Sequence, residues 1–281
     1  MSFGRPGVAR LAAADSSEGN AVPQLSPDRY FAEIDASTAG LAEILAEHDQ
    51  SLPIPTCPEW TLRQLVTHVG RAHRWAAEIT RTRSDAFIPF REVPDGKLPD
   101  ESTEQQVWLR AGAARIIDAV REAGSDLVWS FTGPAQASFW IRRMAHETLV
   151  HRADGQLAAG AEPEPVIDAD VAADAIDEWL TLLTGGILAN ADERSKALTA
   201  GAALHIHATD DGLGGRGEWM IRHDAGGLTV KPGHDKGDAA LTGPAASVLL
   251  VLMRRRPVPD PAVTVYGNSA VVDGWLASTA F

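Results

Sequence analysis

The 281-residue chain carries a formal net charge of −13, with 44% hydrophobic residues, 22% charged residues and one cysteine. This is the composition of a globular protein with enough apolar material for a core. The charge is the wrong sign for a phosphate backbone, and the single cysteine excludes an internal disulfide or a cysteine-based zinc motif. The length suggests two ordinary domains or one large one. No uninterrupted apolar stretch approaches the roughly 18 residues of a membrane span, and the N-terminal segment lacks the apolar centre of a secretory leader. The expected setting is the cytoplasm, with neither nucleic acid nor membrane as partner.

Residues 1–25 read as a flexible tail, rich in small and polar residues without a period. Ser26-Pro27-Asp28 supplies a cap, a first-turn proline and a first-turn acid, and opens a helix striped by Phe31, Ile34, Leu41, Ile44 and Leu45. SLPIPTCPEW (51–60) is a loop stiffened by its prolines. Thr61 caps a second helix whose stripe is Leu62, Leu65, Val66, Val69, Ala72, Ala76 and Ile79. A long connection over 84–100 leads to a third helix over 102–123, a fourth over 137–159 and, after AEPEP, a fifth over 168–184.

Near residue 200 the period changes to two. ALHIHA (203–208) alternates as a half-buried strand should, and GEWMIRH and GLTVKP flank DAGG as a hairpin. AALTG and VTVY add strands, while PAASVLLVLMRRR and SAVVDGWLAST read as helices. The fold class is therefore α+β: a helical bundle over 26–190, then a small mixed α/β domain over 191–281.

The fourth helix carries the informative residues. Trp140, Met144, Glu147 and His151 share one stripe at spacings of four, three and four. An acid and an imidazole on the apolar stripe of a bundle are costly unless something satisfies them, and a divalent ion would. His146-Glu147 resembles the start of H-E-x-x-H, but the next histidine follows five residues later, roughly 140° around the helix, so His146 and His151 cannot grip one ion together. A third ligand has to come from another helix. His68 and His73 both lie at edges of the second helix's stripe, and periodicity does not choose between them.

Trp60 and Trp140 are candidate pocket walls, and Arg142 or Arg143 could fork onto a substrate carboxylate, although exposure at the surface is the default for both. Asp154, one turn beyond His151, is placed to orient it. Cys57 reads as a packing residue rather than a reactive thiol. His205 and His207 share one face of a strand, which a polar sheet face explains without a metal.

TCPEWTLRQLVTHVGR (56–71) and FWIRRMAHETLVHR (139–152) resemble the mycothiol-dependent maleylpyruvate isomerase family. Farther on, GEWMIR (217–222), LTGPAASVLLVLMRRRP (241–257) and VYGNSA (265–270) are similar to its sterol-carrier-like C-terminal domain. The resemblance implies an N-terminal DinB-like antiparallel four-helix bundle that binds zinc. Carried over by motif position, its metal ligands are His68, Glu147 and His151. It implies mycothiol, the small thiol of actinobacteria, as cosubstrate, and makes Arg255 a candidate for thiol or substrate binding. The family's C-P-G-W is C-P-E-W here, a departure beside the site entrance that argues against assuming the eponymous substrate.

Two histidines and one glutamate leave a coordination position open, as catalytic zinc does. The expectation is a mycothiol-dependent S-transferase or isomerase acting on a small electrophile, as in isomerisation of the maleylpyruvate type or thiol exchange on an intermediate of secondary metabolism, in a monomer or weak homodimer. The competing readings are a non-catalytic small-molecule or lipid-binding protein and a hydrolase using zinc-bound water.

Overall fold

In the computed structural model, residues 24–163, 167–187, 197–225 and 227–279 are described. Nearly all of the tail, part of AEPEP, the stretch before residue 197 and Gly226 of the hairpin turn lie outside them.

Four long helices form the N-terminal unit: α1 (Pro27–Glu47), α2 (Leu62–Thr82), α3 (Ser102–Ala123) and α4 (Ser138–Ala158). Ser26 caps α1 by accepting from the Arg29 amide, and Thr61 forms a reciprocal capping box with Gln64 at the start of α2. Between α3 and α4 a two-residue ladder, β1 (Leu127–Val128) with β2 (Ala135–Gln136), closes a small hairpin that the periodicity did not signal. One end of the bundle is filled by aromatic residues, with Trp75, Trp129, Phe131 and Trp140 packed ring against ring. The other end is aliphatic, built on Leu41, Leu45, Leu62, Leu65 and Leu109. Helices α2 and α3 approach closely at Gly70, where a Cβ would sit 2.1 Å from the Trp108 ring. Only glycine fits that crossing.

The C-terminal unit is a five-stranded mixed sheet in the order β5-β4-β3-β6-β7: β3 (Ala203–Ala208), β4 (Glu218–Asp224), β5 (Gly227–Pro232), β6 (Ala239–Gly243) and β7 (Thr264–Gly267). The β3/β6 pair is parallel and the others antiparallel. Two helices complete it, α6 (Ala245–Leu252) and α7 (Ser269–Ser278). Leu204, Ile206, Trp219, Ile221 and Leu241 face the core.

Helix α5 (Ala169–Leu182) follows the bundle in sequence, yet Val171, Ile176, Trp179 and Leu180 join the apolar core of the sheet. Leu149 and Ala153 of α4 reach the same core. Thus α4 is enclosed on both sides, by the bundle and by α5. That is why α4 shows no clean polar face: its buried residues include Arg142, His146, Arg152 and Asp154 alongside the apolar ones. Among the described residues, no helix is long and apolar enough to cross a membrane.

Candidate metal centre

Helix α2 presents His68, and α4 presents Glu147 and His151 one turn apart. His68 Nε2 lies 2.9 Å from Glu147 Oε1, and His151 Nε2 lies 3.4 Å from the same oxygen. The two imidazole centroids are 5.0 Å apart. Bonds of about 2.0–2.1 Å to a tetrahedral ion imply ligand–ligand spacings of roughly 3.4 Å, so the donor set fits a divalent cation of the zinc class. Trp60 in the loop before α2 flanks both rings, with centroids 4.8 Å from His68 and 5.9 Å from His151.

Each candidate ligand on α4 is braced. His151 Nδ1 meets Asp154 Oδ2 at 2.8 Å, which leaves Nε2 to face Glu147. Asp154 is itself held by Thr56 and by the guanidinium of Arg255, which arrives from the end of α6. Burial disfavours a charge on His151, but Asp154 and Glu147 outweigh it and push its pKa up to about 9 without an ion. An ion taking up this position would displace that proton.

Glu147 Oε2 accepts from Arg143, whose other arm reaches Glu178 of α5 at 2.6 Å. Burial opposes ionisation of Glu147, yet Arg143 and the two histidines hold its carboxyl well below the usual range. The carboxylate is therefore a permanent anion with one oxygen occupied by Arg143 and one turned toward the imidazoles.

Two of the remaining histidines fall where helical geometry separates them from this point. His73 is fully buried, with Nε2 2.7 Å from Thr148 Oγ1, and burial followed by the Arg74 charge takes its pKa down to about 3. His146 faces the other side of α4, between Asp174 Oδ2 at 3.1 Å and Glu178 Oε2 at 3.0 Å. Of the two α2 histidines between which periodicity left the choice open, His68 is the one that reaches Glu147, while His73 meets Thr148.

Residues 31–156 match the family model described as the mycothiol maleylpyruvate isomerase N-terminal domain, and residues 170–274 match the MDMPI C-terminal domain. The chain belongs to the mycothiol maleylpyruvate isomerase family. A crystal structure of the mycothiol-dependent maleylpyruvate isomerase aligns with a TM-score of 0.54 at 16% identity, covering 86% of this chain and 93% of that one. A second, of a histidine-to-alanine mutant of that enzyme, aligns at 0.52 with the same identity and coverage. At this identity the likeness is one of fold. No curated protein matches the chain.

Within this family member, other residues singled out from the sequence take different places. Trp140 is a core residue rather than a pocket wall: it is fully buried in the aromatic end of the bundle, and its indole N–H donates to the Trp129 carbonyl. Arg142 and Arg143 are not surface residues, because α5 covers them. Arg142 pairs with Asp174 at 2.9 Å and with Asp177 at 2.9 Å, and both arms of Arg143 are occupied by carboxylates. Arg255 likewise spends its fork on Asp154. Cys57 is half-buried, and burial and the neighbouring Asp154 push its thiol pKa up.

Sequence reasoning missed Asp174 and Glu178. A signal was present: Asp170, Asp174, Asp177 and Glu178 recur at helical spacing on α5, as Arg142 and His146 do on α4, and complementary stripes of that kind mark two faces that meet.

Proposed function

We propose that the chain is a metal-dependent enzyme using the thiol of mycothiol as nucleophile toward a small electrophilic substrate, with transfer or exchange of the thiol ahead of maleylpyruvate isomerisation as its reaction. The observation that supports this reading is the convergence of His68 Nε2 and His151 Nε2 on one oxygen of Glu147, a set with room for one further ligand. A zinc-class ion bound by such a set lowers the pKa of a thiol beside it, favouring the thiolate near neutral pH.

The protein's own groups prepare that position. Arg143 fixes one oxygen of Glu147 and compensates its charge, and Asp154 fixes the ring of His151. Trp60 walls one side of the two imidazoles. Cys57 is the sole cysteine of the chain and has a raised pKa, so the reacting thiol is that of a cosubstrate. In transfer, the sulfur forms a bond to the electrophilic carbon as its proton is lost, and the leaving group departs with the electron pair. In isomerisation, the sulfur adds to a conjugated double bond, the resulting single bond rotates, and the C–S bond breaks to return the thiol unchanged. Glu59, where the resemblance places glycine, stands next to Trp60 in sequence and adds a negative charge beside the entrance.

The test is turnover of a panel of electrophiles, maleylpyruvate included, by protein of measured metal content, with and without mycothiol. Turnover is expected to require both the thiol and the ion, and to be lost in His68→Ala. Metal-loaded protein with no thiol-dependent turnover across the panel would overturn the proposal, and turnover without thiol would indicate hydrolysis instead.

A further inference from the structure

A second group of metal-ligating side chains lies on the C-terminal sheet and shares no residue with the first. Along β3 the pleat sends Leu204, Ile206 and Ala208 into the core and His205 and His207 to the opposite face. The register places Glu218 of β4 directly across from His207 and diagonal to His205. Immediately after β5, Gly233 at φ 144° supports a turn that side chains rarely permit, and its amide donates to the Glu218 carbonyl. The chain then delivers His234 to the same carboxylate.

The result is tight. His205 Nε2 is 3.1 Å and His234 Nδ1 is 2.5 Å from Glu218 Oε2, while His207 Nε2 is 3.9 Å from Glu218 Oε1. The imidazole centroids are 5.1 Å apart for His205 and His234, 5.7 Å for His205 and His207, and 6.1 Å for His207 and His234. Imidazole nitrogens and a carboxylate converging in this way are the donors that zinc-class ions select. The donor atoms of His205, Glu218 and His234 already lie within 4.8 Å of one another.

We propose that His205, Glu218 and His234 form a second divalent-metal site, of zinc-class selectivity, that fastens the segment after β5 to the outer face of the sheet. Three protein ligands leave a position for water or for His207, whose Nε2 lies 3.9 Å from Glu218 Oε1, and the site shares no residue with the one in the bundle.

The experiment uses full-length protein without an affinity tag, stripped by a chelator and titrated with zinc while bound equivalents are counted, with cobalt as a spectroscopic substitute. Wild-type protein is expected to bind two equivalents, and the His68→Ala/His151→Ala double variant one. His234→Ala, at an exposed position, is expected to keep its fold by circular dichroism, to bind one equivalent and to lose the remaining affinity by at least 100-fold; Glu218→Gln should behave alike. A single equivalent lost with His234→Ala but kept in the double variant would uphold this site and refute the bundle site. A single equivalent lost only in the double variant, or no tight binding at all, would overturn this proposal.

Discussion

Arg255 grips Asp154 through both Nε and Nη2, each at 2.7 Å, and thereby joins the end of α6 in the C-terminal unit to the carboxylate that orients His151 on α4. The carboxylate is fully buried, so neither partner can be removed without stranding the other.

Arg255→Lys is expected to weaken metal binding by about 10–100-fold, because an ammonium cannot reproduce the fork and carboxylates behind ligating histidines contribute on that scale. Asp154→Asn should fall in the same range. Competition with a chromophoric chelator measures both, and affinities within twofold of wild type would restrict the pair to holding the two units together.

His68 and His73 lie on one helix and should respond in opposite ways. His68→Ala is expected to lose the bundle ion while leaving the melting temperature of metal-free protein within a few degrees. His73→Ala is expected to keep the ion but lose about 1–3 kcal/mol, since it empties a buried position and removes the bond to Thr148 Oγ1. Metal analysis and denaturant unfolding on the two variants separate these outcomes.

Asp174 makes stability fall in acid. Burial works against its charge, but His146 and Arg142 prevail and bring its pKa down to about 2. A carboxyl lowered in the folded state stabilises above its unfolded pKa near 3.9, and that contribution of about 2–3 kcal/mol disappears as pH falls toward 2. Asp174→Asn should be less stable at pH 7 by about 3 kcal/mol and show a shallower loss between pH 4 and pH 2. Parallel slopes for variant and wild type in urea titrations across that range would contradict the assignment.

Cys57 should prove dispensable. Its raised pKa favours the thiol at neutral pH, so iodoacetamide is expected to alkylate it more slowly than free cysteine at pH 8. Turnover by Cys57→Ser is expected to stay within about threefold of wild type. A larger drop would make this thiol a participant.

Much of the fold was legible because local rules suffice for it. Ser26-Pro27 and Thr61 start α1 and α2 as read, and α4 differs by one residue at each end from its expected span. The alternation of ALHIHA gave β3 and correctly divided Leu204 and Ile206 from His205 and His207. The Glu147/His151 pairing follows from helical spacing alone. What the sequence did not disclose depends on pairs of elements meeting: the packing of α5 against both α4 and the sheet, the burial of Arg142 and Arg143, the departure of Trp140 into the aromatic core, and the arrival of His234 at Glu218. A period describes one helix or strand, and none of these is a property of one.

The enclosure of α4 also bears on how separable the two halves are. Cut away from α5, the bundle would present Arg142, Arg143 and His146 as an open basic seam, and Asp174 and Glu178 would lose the cations they face. A chimera that swaps the C-terminal half for that of another protein would inherit this mismatch unless the swapped piece carried matching acids, so the seam has to be exchanged as a unit.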